Sequence, residues 1–400
     1  MDREALVLRN RHMASAFHAL PVKHQVRRLL LGVSAQVPVN IPRQAHYPDR
    51  LLLVRPDHLG DVLLTTPAIH ALREALPDTE LHALVGPWSA DAIAGYPEVD
   101  QVLTLAFPGF SRDPKDNWRS PYALALSSAR HLRRIGYRGA VIFRPDHWWG
   151  AMLARFAGIP ERIGYDLPDV APFLTHTISF ERQHAVTQNM RLVEHLTGQR
   201  AGLQPELYFP VDSLDEAYVE GYLEEWGIPS GQPVLCIHPG SGTWVKRWHE
   251  ERWAKAADTL SEQLDAPVVY TGGDHEMPLV QQITNLMRRP ACIMVGDTRV
   301  GQLAALFKRA RVILGPDSGP LHLAAAVGAP TVTLFGPADP FEFKPWGPEA
   351  RHIVLASDIG CRPCRVLDWG DDDPENHPCV REITLASVLN AARQAANAHY

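Results

Sequence analysis

LLLVRPDHLGDVLLTTPAIHALR, residues 51–73, decides the fold. Four consecutive apolar residues, Leu51 to Val54, cannot alternate between core and solvent. They read as a strand buried on both faces, as in a parallel sheet. The run then delivers Arg55, Asp57, His58, Gly60 and Asp61 into a turn, and a helical spacing of Val62, Leu64, Ile69, Leu72 and Leu76 follows. Open parallel sheets bind ligands beyond such strand ends. Gly60 reads as the residue that lets the chain turn, and Asp61 as the N-cap of the helix.

The same alternation continues along the chain. LHALVG (81–86), QVLTL (101–105) and AVIF (140–143) read as further strands, with helical spacing between them, as in PYALALSSARHLRRIG (121–136). The pattern fades around residues 199–215 and restarts with VLCIH (234–238), PVVYT (267–271), CIMV (292–295), RVIL (311–314) and PTVTLF (330–335). The expected class is α/β, with two doubly wound domains. The expected boundaries are a basic arm over 1–50, a first domain over 51–205 and a second over 206–383. A helix over 384–400 would end the chain, placed to cross back to the first domain. RPDH occurs at both 55–58 and 144–147, each time after an apolar run, but a four-residue match is short enough to arise by chance.

Composition bounds the function. Four hundred residues exceed a single core, which favours two domains. A net charge of −6 gives no global attraction to nucleic acid. Residues 1–50 nevertheless hold eight Lys or Arg against three Asp or Glu, a local +5 suited to an anionic surface such as a membrane, or to a solvated helical face. No apolar run reaches the length of a membrane span, and MDREALVLRNRH carries charges where a signal peptide needs apolar residues. A cytoplasmic protein is expected. Five cysteines do not make a disulfide framework.

In the second half the strand ends carry chemistry. HPGSGTWVKRWHEERWA (238–254) offers a glycine-rich turn, with Ser241, Gly242 and Thr243, followed by Lys246 and Arg247. Backbone amides beside a cation make an anion site, although neither GxGxxG nor the Walker spacing is present. YTGGDHE (270–276) places Asp274 and Glu276 where a carboxylate holds ribose hydroxyls or caps a helix. In GPDSGPLHLAAAVGAPTVTLFGP (315–337), Asp317, Ser318 and Gly319 open a small-residue helix with His322 in its first turn, suited to a diphosphate or to close packing.

Taken in order, these runs and FAGIPERIGY (156–165) resemble glycosyltransferase family 9, the ADP-heptose heptosyltransferases, over about residues 50–385. The resemblance implies a GT-B architecture of two Rossmann-like domains facing across a cleft, acceptor on the first and nucleotide sugar on the second. It also implies an inverting, metal-independent transfer. By the same resemblance Asp61 is the base, and Lys246 with the Ser318–Gly319 amides meets the diphosphate. Glu276 binds the ribose, while Asp317 and His322 line the donor sugar. Arg55 and His58 are candidates for acceptor phosphate, and Asp57 competes with Asp61 as base. The implied donor is an ADP-sugar and the implied acceptor an anionic glycolipid, the lipopolysaccharide inner core, at the inner membrane. A protein hydroxyl or an aminocyclitol remains an alternative acceptor. Two other classes stay open, a non-catalytic nucleotide-sugar-binding protein and a nucleotide-sugar epimerase of similar form.

Some features lie outside the resemblance. The basic arm is one. Cys361 and Cys364 in CRPC, with His377, Cys379 and Asp373, have metal-like spacing, and reduced thiols or a structural zinc or iron site are both open. WGDDDPE (369–375) reads as a solvated acidic loop or a weak magnesium site. Trp148, Trp149, Trp244 and Trp248 read as core, with Trp244 and Trp248 also placed to stack on a ligand. Acceptor choice is assigned to loops such as 107–121, which carry no motif.

Overall fold

Leu51 to Val54 are almost wholly excluded from solvent on both faces, and the strand they form has a parallel neighbour on each side. The computed structural model describes residues 22–36, 48–110, 120–199, 205–367 and 377–398. These divide into two compact units between Pro205 and Glu206.

The first unit runs α1 (Val22–Gln36), β1 (Arg50–Arg55), α2 (Leu59–Leu63), α3 (Thr66–Ala75), β2 (Glu80–Val85), β3 (Gln101–Thr104), α4 (Ser120–Ile135), β4 (Gly139–Ile142), α5 (Trp148–Ala157), β5 (Glu161–Tyr165), β6 (His176–Ile178) and α6 (Ala185–Thr197). The second runs α7 (Ser213–Glu225), β7 (Val234–Ile237), α8 (Glu250–Leu264), β8 (Val268–Gly272), α9 (Met277–Leu286), β9 (Cys292–Val295), α10 (Val300–Lys308), β10 (Ala310–Pro316), α11 (Gly319–Ala326), β11 (Thr331–Phe335), α12 (Pro340–Phe343), β12 (His352–Ala356) and α13 (Leu385–Asn397).

Each unit holds a six-stranded parallel sheet, in the orders β3-β2-β1-β4-β5-β6 and β12-β11-β10-β7-β8-β9. Counted within its own unit, each order is 3-2-1-4-5-6, the Rossmann arrangement. The chain reverses its direction of winding between the first and fourth strands, so the crevice at their carboxyl ends is open. That places β1 beside β4, and β7 beside β10.

Three expectations change. The single helix read from Val62 to Leu76 is two, α2 and α3, broken at Leu64–Thr65. Pro67 lies in the first turn of α3, where its missing N–H is harmless, and its ring disfavours helix just before it. The hydroxyls of Thr65 and Thr66 donate to the carbonyls of Asp61 and Leu63 across the break. The N-cap of α2 is His58, so Asp61 is in the first helical turn and not at the cap; Gly60 is also inside that turn, without a positive φ. Finally α13 packs within its own unit, against α8, β10, β11 and β12. Its face of Ala391, Ala392, Ala395 and Ala396 is buried, and such short side chains let a helix lie close on a sheet.

Trp248 belongs to this core. It is fully buried, its Nε1 donates to the Ile383 carbonyl at 2.9 Å, and it packs edge-on against Trp253 at 4.9 Å. Stacking of Trp248 on a ligand is thereby corrected. No helix among the described residues is long and apolar enough to cross a membrane. Trp248→Ala should cost about 3–5 kcal/mol in denaturant unfolding, mainly through the cavity left beside Trp253, since the Ile383 carbonyl keeps its hydrogen bond from Arg252. A loss below about 1 kcal/mol would contradict this packing.

Candidate functional site

At the end of β1 the backbone carbonyl of Asp57 accepts from Trp88 Nε1 and from Ser89 Oγ, both at 3.0 Å, in the turn that follows β2. This fixes the Asp57 main chain between two strand ends. Its side chain, 3% exposed, reaches a third: Arg144, just past β4, donates through Nη1 to Asp57 Oδ1. On the other side Arg55 Nε lies 2.8 Å from Asp57 Oδ2. That pair is a charge contact without hydrogen-bond alignment, since neither atom has a hydrogen-bond partner among the described residues. Arg55 also donates through Nη2 to Asp61 Oδ1 at 3.1 Å.

The two aspartates therefore differ. Burial pushes the Asp57 carboxyl up, but Arg55 and Arg144 outweigh it and hold it below its ordinary value. A sealed carboxylate of lowered basicity is a poor base. The Asp61 side chain is 33% exposed and pairs with Arg55, which Asp57 also faces. Of the two, Asp61 has the access a base needs.

The second RPDH is no accident of sequence. Its Arg144 also donates through Nε to Asp146 at 2.6 Å and lies 5.1 Å from the centre of the Phe110 ring. His147 is buried at the N-cap of α5, 5.2 Å from Phe107, with neither ring nitrogen hydrogen-bonded among the described residues. Burial and the neighbouring Arg144 lower its pKa to about 3, so the ring is neutral. His58 stays exposed, its ring 5.6 Å from that of Trp88. Sequence reasoning set Arg144 and His147 aside; the signal was the repeat itself, placed after two strands.

In the second unit, Glu276 is buried and joins the ends of β7 and β8. Its Oε2 accepts from the Gly273 amide at 2.9 Å, and its Oε1 lies where any Cβ on Gly240 would fall. His238 Nδ1 pairs with Thr271 Oγ1 at 3.1 Å, and burial lowers its pKa although Glu276 opposes this. Asp274 is exposed, which separates it from Glu276.

Lys246, from the turn after β7, donates to Asp317 Oδ2 at 2.5 Å and to the Asp317 carbonyl at 3.0 Å, so the ends of β7 and β10 are tied by one ammonium. Ser318 is the N-cap of α11. Ser318 Oγ and His322 Nδ1 are buried with no hydrogen-bond partner among the described residues. Burial lowers the His322 pKa to about 4, against the pull of Asp317 and with the push of Lys246. A cation, a helix start and two unsatisfied polar atoms form a site for an oxygen-rich anion. The Ser241 hydroxyl donates to the Thr243 carbonyl at 2.6 Å and the Thr243 hydroxyl to that of Leu367 at 2.7 Å; Gly242 is exposed. Ser241 and Thr243 thus order the turn with their hydroxyls and have their amides to offer a ligand.

Cys361, Cys364, His377 and Cys379 line one small pocket with Val245 and Pro337. Among the described residues no three His, Cys, Asp or Glu are grouped to hold a metal ion. Burial and the Cys364 thiol raise the Cys379 pKa to about 11, so this thiol stays protonated at neutral pH. Trp244 packs edge-on against His377 at 5.0 Å. Asp373, the run 369–375 and residues 111–119 of the 107–121 loop lie outside the described residues.

Residues 125–368 match the family model described as glycosyltransferase family 9 (heptosyltransferase), more than half of the chain. The chain is 24% identical to a lipopolysaccharide heptosyltransferase 3 of Escherichia coli, over 83% of its own length and 95% of the relative's. Among solved structures, a glycosyl transferase family 9 protein of Veillonella parvula superposes with a TM-score of 0.72 at 23% identity, covering 87% of this chain and 97% of that one. E. coli heptosyltransferase WaaC with ADP gives 0.64 at 18%, covering 86% and 99%. At these identities the structures speak for the fold.

Gly240→Ala should drive the Glu276 carboxylate from its place, because the new methyl would occupy it. ADP affinity measured by calorimetry should fall about 10- to 100-fold, as expected when hydrogen bonds to a charged group are lost, with folding retained. Unchanged affinity would remove Glu276 from the nucleotide site.

Proposed function

The chain belongs to glycosyltransferase family 9 (heptosyltransferase), and from that premise we propose that it moves a heptose from an ADP-sugar to an acceptor hydroxyl of the lipopolysaccharide inner core. The observation that carries the donor half is the set at β7 and β10: Lys246, the start of α11, and the unsatisfied Ser318 Oγ and His322 Nδ1. A diphosphate supplies the acceptor oxygens that such a set lacks. Glu276, buried at the end of β8, holds the ribose hydroxyls. ADP as the nucleotide is supported by the WaaC complex, and the acceptor by the name of the E. coli relative.

Inversion takes one in-line displacement at the anomeric carbon. As the bond to the diphosphate lengthens, negative charge grows on its oxygens, where Lys246 and the Ser318 and Gly319 amides stabilise it. Asp61 removes the proton of the attacking hydroxyl. Arg55 donates to Asp61 at 3.1 Å, and Arg55 and His58 offer charge and hydrogen bonds to acceptor phosphate. Asp317 holds Lys246 in place and, with His322, lines the donor sugar. No step requires a metal, so transfer should be insensitive to chelators. The pocket of Cys361, Cys364, His377 and Cys379 lies outside this reaction.

The basic arm is assigned to an anionic membrane surface as a peripheral contact. On α1, Arg28 bonds Asp169 at 2.6 Å while Leu29 and Val33 are exposed, which suits a surface carrying lipid-linked acceptor. Transfer to a protein or aminocyclitol hydroxyl would use the same donor chemistry.

The test uses Asp61→Ala with ADP-heptose donor and inner-core acceptor. Turnover should fall about 10²- to 10⁴-fold, the usual cost of losing a general base, while ADP binding stays intact. Equal turnover in variant and parent would favour a binding protein, and absence of ADP binding in the parent would remove the donor site.

A further inference from the structure

We infer that Asp57 is a positioning residue for the transfer: held by Arg55 on one side and Arg144 on the other, it sets how much of the Arg55 charge reaches Asp61. The inference rests on Asp61 being the base.

Four side chains of alternating sign run from β4 through β1 to α2: Arg144, Asp57, Arg55 and Asp61. Arg55 has one positive charge and two carboxylates to share it, 2.8 Å away at Asp57 and 3.1 Å away at Asp61. What Asp57 takes, Asp61 loses. Asp57 in turn is shared with Arg144, so the far end of the line influences the near end. Asp57 is sealed from solvent and its carbonyl is pinned by Trp88 and Ser89, so its charge is weakly screened and cannot swing away. The unaligned Arg55–Asp57 contact leaves the Arg55 guanidinium aimed at Asp61, where it makes its hydrogen bond.

Other groups among the described residues face this line. Beyond β4 they are Asp146, already paired with Arg144, and the neutral His147. His58 caps α2, and the turn after β2 contributes Trp88 and Ser89, with its Asp91 exposed. Strand order alone brings Arg144 to Asp57, since β1 and β4 are neighbours although 87 residues separate the two side chains.

A purely structural ion pair would lose stability when broken, whichever partner was removed. A positioning line does something different. Asp57→Asn removes a negative charge and frees Arg55 for Asp61, which makes Asp61 less basic. Arg144→Gln leaves Asp57 to claim Arg55 more fully, which makes Asp61 more basic. The pH profile of kcat/KM in the holo assay separates these. Its acid limb, where Asp61 gains a proton, should move down in Asp57→Asn and up in Arg144→Gln, each by about 0.5 unit or more, as a changed charge near a carboxylate does. KM for the donor should stay within about twofold, because the nucleotide site is on the other unit. Limbs that stay put, or move in the same direction, would overturn the proposal. If Asp57→Asn fails to fold, Arg144→Gln, altered at the more exposed end, decides alone. Asp61→Asn runs alongside: turnover that survives it overturns the base assignment, whereas lost turnover with unmoved limbs overturns only the role of Asp57.

Discussion

Everything functional in this chain depends on one constraint of parallel sheets. Parallel strands all end on the same edge, and where winding reverses, the helices flanking the first and fourth strands leave that edge uncovered. Polar side chains gathered there need not be buried without partners. Both units use the position, with the same strand order. The first presents carboxylates and arginines and the second an ammonium, a helix start and a buried glutamate.

The electrostatics divide the labour. Two deeply buried aspartates are paired, Asp57 by two arginines and Asp317 by the Lys246 ammonium, which also donates to its carbonyl. Such pairing is what makes burial of an ion tolerable, since removing it from water otherwise costs several kcal/mol. Histidines without a pair, His147 and His322, are driven to the neutral state by burial. Neutral imidazoles add no charge to a site already rich in it, and the His322 Nδ1 left without a partner is available to a ligand. Asp61, by contrast, is a third exposed and hydrogen-bonds Arg55.

The sequence made the central strands easy to read, because residues such as Leu51–Val54 and Val234–Ile237 are apolar on both faces. It also showed the edge strands β3 and β9, but it concealed β5, β6 and β12. β5 is buried over four of its five residues but carries Glu161 and Arg162, so its sequence shows no long apolar run; β6 is three residues long, and β12 at the sheet edge is only partly buried. The break before α3 was announced by Pro67 and hidden by the helical spacing around it. The residues proposed for the donor were legible because they follow strands directly in GSGTWVK, GGDHE and PDSGPLH. The pairing of Asp57 with Arg144 was not, because it depends on strand order, which spacing along a chain does not state. Likewise, that Ser241 and Thr243 spend their hydroxyls on carbonyls is a matter of local geometry, invisible in the residue types.

The most direct measurement is a crystal structure of the chain with ADP bound. The account predicts the ribose against Glu276 and the diphosphate against Lys246 and the start of α11, with Ser318 Oγ and His322 Nδ1 now hydrogen-bonded. A nucleotide bound elsewhere, with those two atoms still unsatisfied and Glu276 facing only the Gly273 amide, would contradict it.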